Sequence, residues 1–189
     1  MELATLLARC RDGNELAWEA LVRQFQPRVH AIALHYVGNA EEARDVAQEI
    51  FIRIYQNLHR CDEASRFLPW MIRIARNACI DHLRRRRARP PAHDVPADGA
   101  LPLAATTRGA EESWHEEGRK RLLHLALRAL SELNREILLL REIHGLSVEE
   151  TAHILGVPVG TVKSRGNRAR IELARKVQAL SGGDYGREH

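Results

Sequence analysis

Between Leu146 and Leu173 the chain reads LSVEETAHILGVPVGTVKSRGNRARIEL, and its second half concentrates side chains suited to a polyanion. Lys163 and Arg165 are phosphate-binding types, while Ser164, Asn167 and Arg168 carry the short polar groups and planar fork that hydrogen-bond base edges. These groups act together only on one rigid element. At 100° per residue, Ser164, Asn167 and Arg168 point one way, with Lys163 and Arg165 on the flanks. Val159, Val162, Gly166, Ala169 and Leu173 recur at spacings of 3, 4, 3 and 4, which predicts an inward stripe on the other side. The element before it is equally legible. Ser147 and Glu150 form a capping box that starts a helix at Val148, with Val148, Ala152 and Leu155 on one face. Gly156 suits the left-handed helix end, and Pro158 suits the first turn of the next helix. This is a helix-turn-helix whose second helix is built to enter a major groove. A basic amphipathic helix on a bundle would share the cations, but it has no need of the cap, turn glycine and proline at these offsets.

A second cationic surface lies earlier. Arg73, Asn77 and Arg84 fall on one narrow edge of a helix expected from Phe67 to about Arg87, with Asp81 beside them, and lead into the block Arg84–Arg87 and Arg89. That helix is apolar on two sides: Phe67, Trp70, Met71, Ile74 and Ala78 on one, and Ile72, Cys79, Ile80 and Leu83 on another. It belongs in the middle of a bundle, and Trp70 is read as core rather than as a stacking platform. The helix before it, opened by Asn39 and Glu42, has Ala43, Val46, Ala47, Ile50, Ile54 and Leu58 inward. Its outer face carries Asp45, Gln48, Glu49, Ile52, Tyr55 and Gln56, with Phe51 on the flank. A solvated face explains the acids but not Ile52 and Tyr55, which point to a protein interface.

Composition narrows the classes. The 189 residues are 44% hydrophobic but only 5% aromatic, which predicts aliphatic, helical cores in one domain or two small ones. The net charge of +4 hides segregation into basic blocks and acidic stretches at Glu41–Glu49 and Glu111–Glu117. Two basic blocks imply two nucleic-acid contacts. No apolar run reaches a membrane span, and the N-terminus lacks signal-peptide architecture. Cys10, Cys61 and Cys79 are odd in number and widely spaced, as in a cytoplasmic protein with reduced thiols. His59, Cys61, Cys79 and His82 match no common zinc spacing, so no metal and no cofactor are expected.

The remaining stretches set the layout. Trp18, Leu21, Val22 and Phe25 share a face of a first helix that Pro27 should end or kink, and Val29, Ile32, Ala33 and Tyr36 continue the pattern to Gly38. Asn57–Ser65 reads as loop. Residues 89–110 hold four of the seven prolines and no periodicity, which predicts a flexible linker. Beyond it Trp114–Leu130 should be helical with Leu123, Ala126, Leu127 and Leu130 inward, and Ser131 should cap a helix over Leu133–Ile143. The fold class expected is all-α: a bundle over residues 1–88, the linker, a helix-turn-helix domain over 111–180, and a disordered tail over 181–189.

Two helical modules, an acidic interface helix, two basic edges and a proline-rich linker together resemble an extracytoplasmic-function (ECF) sigma factor of the sigma-70 family, from about Asn14 to Leu180. In the N-terminal half the likeness rests on Asp45-Val46-Ala47-Gln48-Glu49-Ile50-Phe51, Phe67-Leu68-Pro69-Trp70, and Arg73-Ile74-Ala75-Arg76-Asn77 followed by Asp81 and Leu83-Arg84-Arg85. In the C-terminal half it rests on Leu140-Arg141-Glu142, Gly145-Leu146-Ser147, and Gly160-Thr161-Val162-Lys163-Ser164-Arg165 followed by Arg168-Ala169-Arg170.

The resemblance implies a non-enzyme that takes no small-molecule substrate. It implies binding to core RNA polymerase through Asp45, Gln48, Glu49, Phe51, Ile52 and Tyr55. It implies reading of a promoter −10 element by Arg73, Asn77, Asp81, Arg84 and Arg85, and of a −35 element by Thr161, Lys163, Ser164, Arg165, Asn167 and Arg168. Opening DNA traps an unstacked base, and the Asn57–Arg66 loop is where the family builds that pocket. An anti-sigma partner is implied too, and with it cytoplasmic location or tethering at the membrane. Two positions depart from the family: Ser131 replaces a usual proline, and Gly166 replaces a larger aliphatic at a cost of about 1 kcal/mol in helix propensity. A helix-turn-helix regulator acting without polymerase would also fit the C-terminal half, but it has no use for the Asp45, Gln48 and Glu49 face.

Overall fold

The computed structural model describes residues 2–88 and 110–184, and every regular element among them is a helix. They divide into two compact units. The first holds α1 (Leu3–Arg11), α2 (Glu15–Val37), α3 (Ala40–Asn57) and α4 (Phe67–Ala88), with single 3₁₀ turns at Leu58–Arg60 and Ala64–Arg66. The second holds α5 (Ala110–Arg128), α6 (Glu132–Leu138), a π-type turn at Leu139–Ile143, α7 (Val148–Leu155) and α8 (Val159–Asp184). The proline-rich segment expected to be the linker lies, but for Ala110, outside the described residues.

In the first unit α2, α3 and α4 pack on one another and α1 packs on α2. Gly38 ends α2 in the left-handed conformation, and the Asn39 side chain accepts from the Glu41 and Glu42 backbone N–H groups at 2.8 and 3.1 Å. The inward stripe of α3 is buried throughout, and Leu58 continues it in the first 3₁₀ turn. α4 buries Phe67, Met71, Ile72, Ala75, Ala78 and Cys79, so both apolar sides are covered in part while Trp70, Ile74, Ile80 and Leu83 stay half-buried, and the Phe67 ring meets Phe25 edge-on at 5.1 Å. Burial pushes the Cys79 thiol up to about 12.

Pro27 does not end the first helix. α2 runs through it for 23 residues, because Pro27 and Arg23 are both exposed and water can satisfy the carbonyl that proline leaves without a donor. α1 has no counterpart in the sequence-based expectations, although Leu6, Leu7 and Cys10 are buried on one of its faces at helical spacing.

The second unit has two adjoining cores. Leu127, Leu130, Leu138 and Ala169 pack with Leu173, and Ile137, Ala152 and Val162 pack with Leu133, Val148, Leu155 and Val157. Four local expectations are corrected. Leu123 is 37% exposed, since the core that covers α5 lies at its C-terminal turn and Leu123 sits one turn short of it. Val159 is also 37% exposed, and Val157 of the turn supplies the packing expected of it. Ser131 stands at the start of α6 with extended backbone, but its side chain makes no capping bond, and α6 gives way to the π-type turn after Leu138. The expected tail is helical as far as Asp184, with Ser181 Oγ donating to the Gln178 carbonyl at 3.1 Å; only its last five residues lie outside the described set.

Gly166 is buried where α8 crosses α6, and a Cβ there would meet Ile137 Cγ2 at 3.4 Å. That is ordinary contact distance. Gly166→Ala is therefore expected to gain about 1 kcal/mol of helix propensity without a clash. The midpoint of the second unit's thermal transition should rise by about 4–8 °C in calorimetry of the full chain. A lowered midpoint would mean that Ile137 cannot accommodate the methyl group.

Candidate nucleic-acid interface

The helix-turn-helix is built as its caps dictate. The Ser147 hydroxyl accepts from the Glu150 N–H at 3.1 Å, and the Glu150 carboxylate accepts from the Ser147 N–H at 2.6 Å. Gly156 ends α7 in the left-handed region at φ 66°. Pro158 precedes the first helical residue instead of occupying it. Its carbonyl accepts from the Thr161 and Val162 N–H groups at 2.9 and 3.2 Å, so it closes the first turn of α8 from outside. Val162, Gly166 and Ala169 are buried, which fixes the rotation of α8. Lys163, Ser164, Arg165, Asn167 and Arg168 consequently stand exposed, with Thr161 half-buried at their edge. Ser164 spends its hydrogen on the Thr161 carbonyl at 3.3 Å and keeps acceptor lone pairs. Arg170, expected among the cations of this block, is turned instead to the Glu142 carboxylate, with Nε and Nη2 at 3.0 and 2.6 Å.

The first unit presents two surfaces. On α3, Asp45 and Gln48 are exposed, and Ile52 and Tyr55 are each 57% exposed although Val46, Ile50 and Ile54 of the same helix are buried. Phe51 is half-buried. Trp18 of α2 is a missed member of this surface. It sits at the edge of its stripe, 5.0 Å from the Tyr55 ring and 6.5 Å from Phe51, both edge-on. On α4, Arg73, Asn77, Arg84 and Arg85 are exposed as expected. Asp81 is half-buried and committed elsewhere.

Its partner is Arg53, a residue to which the sequence had given no role. Arg53 Nη1 donates to Asp81 at 2.8 Å and Nη2 donates to Glu49 at 2.6 Å, tying α3 to α4. Arg85 adds two bonds to Glu49 at 3.0 and 2.9 Å, and Arg86 bonds Glu42 at 3.0 Å. Burial acts to raise the Glu49 carboxyl, but the hydrogen bonds from Arg53 and Arg85 outweigh it and hold the group below its ordinary value. The Arg53 guanidinium is raised, first by its bond to Asp81. Beside this network an open pocket of 490 Å³ is lined by Arg53, Asn57, Arg60, Trp70, Arg73, Ile74 and Asn77. Asn57 is fixed by its own bond to the Arg53 carbonyl at 2.8 Å. Trp70, read as core, is half-buried: one side packs on Phe67 at 5.9 Å while the residue also forms pocket wall.

All-helical units carrying a helix-turn-helix and a cation-lined pocket define a DNA-binding protein with an added protein interface, and comparison with known proteins narrows that class. Residues 21–89 match the family model "Sigma-70 region 2" and residues 120–173 match "Sigma-70, region 4". The chain is 35% identical over 180 residues to the RNA polymerase sigma-H factor of Pseudomonas aeruginosa, covering 93% of each chain. It is 35% identical over 183 residues to the ECF RNA polymerase sigma-E factor of Escherichia coli K12, covering 93% of this chain and 94% of that one. Among solved structures it is similar to CnrH in complex with the cytosolic domain of CnrY, with TM-score 0.64, 25% identity and coverage of 93% and 96%. The chain belongs to the ECF group of the sigma-70 family. Members of that family are initiation factors and not enzymes. Among the described residues no helix is long and apolar enough to cross a membrane.

The Glu49 contacts predict a pH effect. A carboxyl held below its ordinary value of 4.5 contributes stability that is complete above that pH and is lost as pH falls through the lower folded-state value. The difference in urea midpoint between the wild type and Glu49→Gln should therefore be present near neutrality and close as the pH drops below about 4.5. A difference that stays constant across that range would show that Glu49 is not held by its arginines in solution.

Proposed function

We propose that this sigma factor holds core RNA polymerase with the outer face of α3, captures the −10 element with the α4 edge and its pocket, and reads the −35 element with α8. Asp45, Gln48, Ile52 and Tyr55, with Phe51 on the flank, make the polymerase surface; Glu49 serves it while also anchoring Arg85. Arg73, Asn77, Arg84 and Arg85 meet the −10 DNA, and Asp81 contributes by holding Arg53 in place. Thr161, Lys163, Ser164, Arg165, Asn167 and Arg168 meet the −35 duplex. The protein works in the cytoplasm. An anti-sigma factor competes for its surfaces and would tether it where that factor is membrane-bound.

The pocket gives the −10 step its energetics. Unstacking a base costs a few kcal/mol, and stacking on an aromatic ring returns about 1–3 kcal/mol per base. Trp70 supplies the ring, Asn57 and Asn77 supply polar groups for a base edge, and Arg60 and Arg73 supply charge for the backbone beside it.

The exposure of Ile52 and Tyr55 on an otherwise well-buried amphipathic helix supports the polymerase reading above all, since a free-standing DNA-binding regulator gains nothing from it. Asp45→Arg should abolish co-purification of core polymerase while leaving the circular dichroism spectrum and melting temperature unchanged, because Asp45 is exposed. Wild-type recovery of polymerase with that variant would overturn the assignment.

On α8 the exposed side chains divide their work. Arg168 points straight out from the buried stripe and should touch a base edge, where a bidentate contact discriminates by about 1–3 kcal/mol. Lys163 and Arg165 lie toward the groove walls and should bind phosphate. In a salt-titrated binding assay, Arg168→Ala should narrow the gap between a cognate and a scrambled −35 duplex. Lys163→Ala should weaken both alike and lower the salt slope by about one ion. The reverse pattern would mean that α8 is rotated in the groove relative to this assignment.

A further inference from the structure

The pocket beside α4 is closed on one side by the end of α3 and the short 3₁₀ turn after it. Asn57 and Arg60, two of its lining residues, lie at the end of α3 and in the 3₁₀ turn that follows, and Cys61 comes directly after. Two side-chain bonds hold this stretch. Asn57 Nδ2 donates to the Arg53 carbonyl at 2.8 Å, which anchors the start. The other comes from outside the bundle: Arg11 Nη2, at the last residue of α1, donates to the Cys61 carbonyl. Cys61 is 2% exposed, so losing Arg11 would take the charged donor from the carbonyl of a buried residue. The Cys61 N–H is already spent on the Leu58 carbonyl at 3.1 Å, and the thiol points to the Glu63 carbonyl at 3.6 Å. α1 itself is fastened by Leu6, Leu7 and Cys10, and it meets the second 3₁₀ turn as well as α2. Cys10 and Cys61, both buried, flank the Arg11 charge, which offsets part of the upward push that burial gives each thiol.

We propose that Arg11 is a positioning residue for −10 capture: α1 acts as a brace whose terminal guanidinium sets the height of the 57–61 segment and so the width of the pocket an unstacked base must enter. This rests on the reading of the pocket given above. Arg11 touches neither DNA nor polymerase in this role. It fixes the backbone that carries Arg60, and a charge-assisted bond to a carbonyl resists the opening of the segment more than a neutral one would. α1 thereby has a use beyond packing on α2.

The test uses reconstituted holoenzyme on a promoter with 2-aminopurine at the −10 position expected to leave the stack. Arg11→Ala should lower the fluorescence rise on opening about tenfold, the scale of a lost charged hydrogen bond, while core-polymerase affinity and binding to a −35 duplex stay at wild-type values. Arg11→Lys, which keeps a charged donor, should recover a good part of the signal. Trp70→Ala is the companion variant, because it removes pocket wall directly. If Trp70→Ala fails to open the promoter and Arg11→Ala opens it normally, the brace is wrong and the pocket stands. If both open normally, the pocket reading itself falls. A loss of polymerase affinity by Arg11→Ala equal to its loss of opening would also overturn the proposal, since α1 would then merely hold the fold together.

Discussion

The first unit follows from the burial of α4 on two sides. A helix that hides Phe67 and Met71 on one face and Ile72 and Cys79 on another needs two neighbours, and α2 and α3 are those neighbours. Each such side chain contributes roughly 1.5–3 kcal/mol by leaving water, whereas an exposed ion pair contributes about 0–1 kcal/mol. Packing therefore decides that the bundle forms. It also decides what is left over: an edge of α4 that solvent reaches, on which Arg73, Asn77 and Arg84 stand exposed. That edge is what remains of a helix after its core has been satisfied.

Charge pairing settles a finer question. Aliphatic ridges tolerate small slides of one helix along another, and Ile, Leu and Met side chains can adapt to them. The Arg53–Asp81 bond does not, because a bond of 2.8 Å between α3 and α4 is lost with a shift of about an ångström. Arg53 thus sets where α3 stands relative to the exposed edge of α4, and its carbonyl also receives Asn57 at the pocket. In the second unit Arg170 bonds Glu142 on the surface, so one cation of α8 is paired with its own chain.

Much of this was legible in the residues. Caps are local chemistry, so Asn39, Gly38, Ser147 with Glu150, and Gly156 all stand where the sequence put them. Stripes in the middle of helices were legible for the same reason, since their period survives any reasonable packing. The misses fall at ends. Leu123 and Val159 belong to the right faces, but whether an end position is covered depends on where the neighbouring helix stops. Ser131 has the residue type and backbone of a cap without the bond, a matter of one rotamer. Pro27 does not end its helix, because it and Arg23 are exposed and water can take the carbonyl left without a donor. Arg53 and Arg11 were illegible in principle. Their partners, Asp81 and Cys61, are 28 and 50 residues away in sequence, and nothing periodic marks such a pair.

The same energetics separate the arginines that can serve DNA from those that cannot. Arg85 and Arg86 are exposed, and their bonds to Glu49 and Glu42 are surface pairs. Exchanging such a carboxylate for a phosphate replaces one charge-assisted bond by another of similar strength, so the exchange costs little. Arg53 is different. Its side chain is largely covered and bonds two carboxylates at once, and withdrawing it would leave both without their donor while loosening the end of α3. Of the three, only Arg85 and Arg86 can leave their carboxylates for another anion at little cost. A partner that occupied Glu49 would weaken its hold on Arg85 and free that cation at the exposed end of α4.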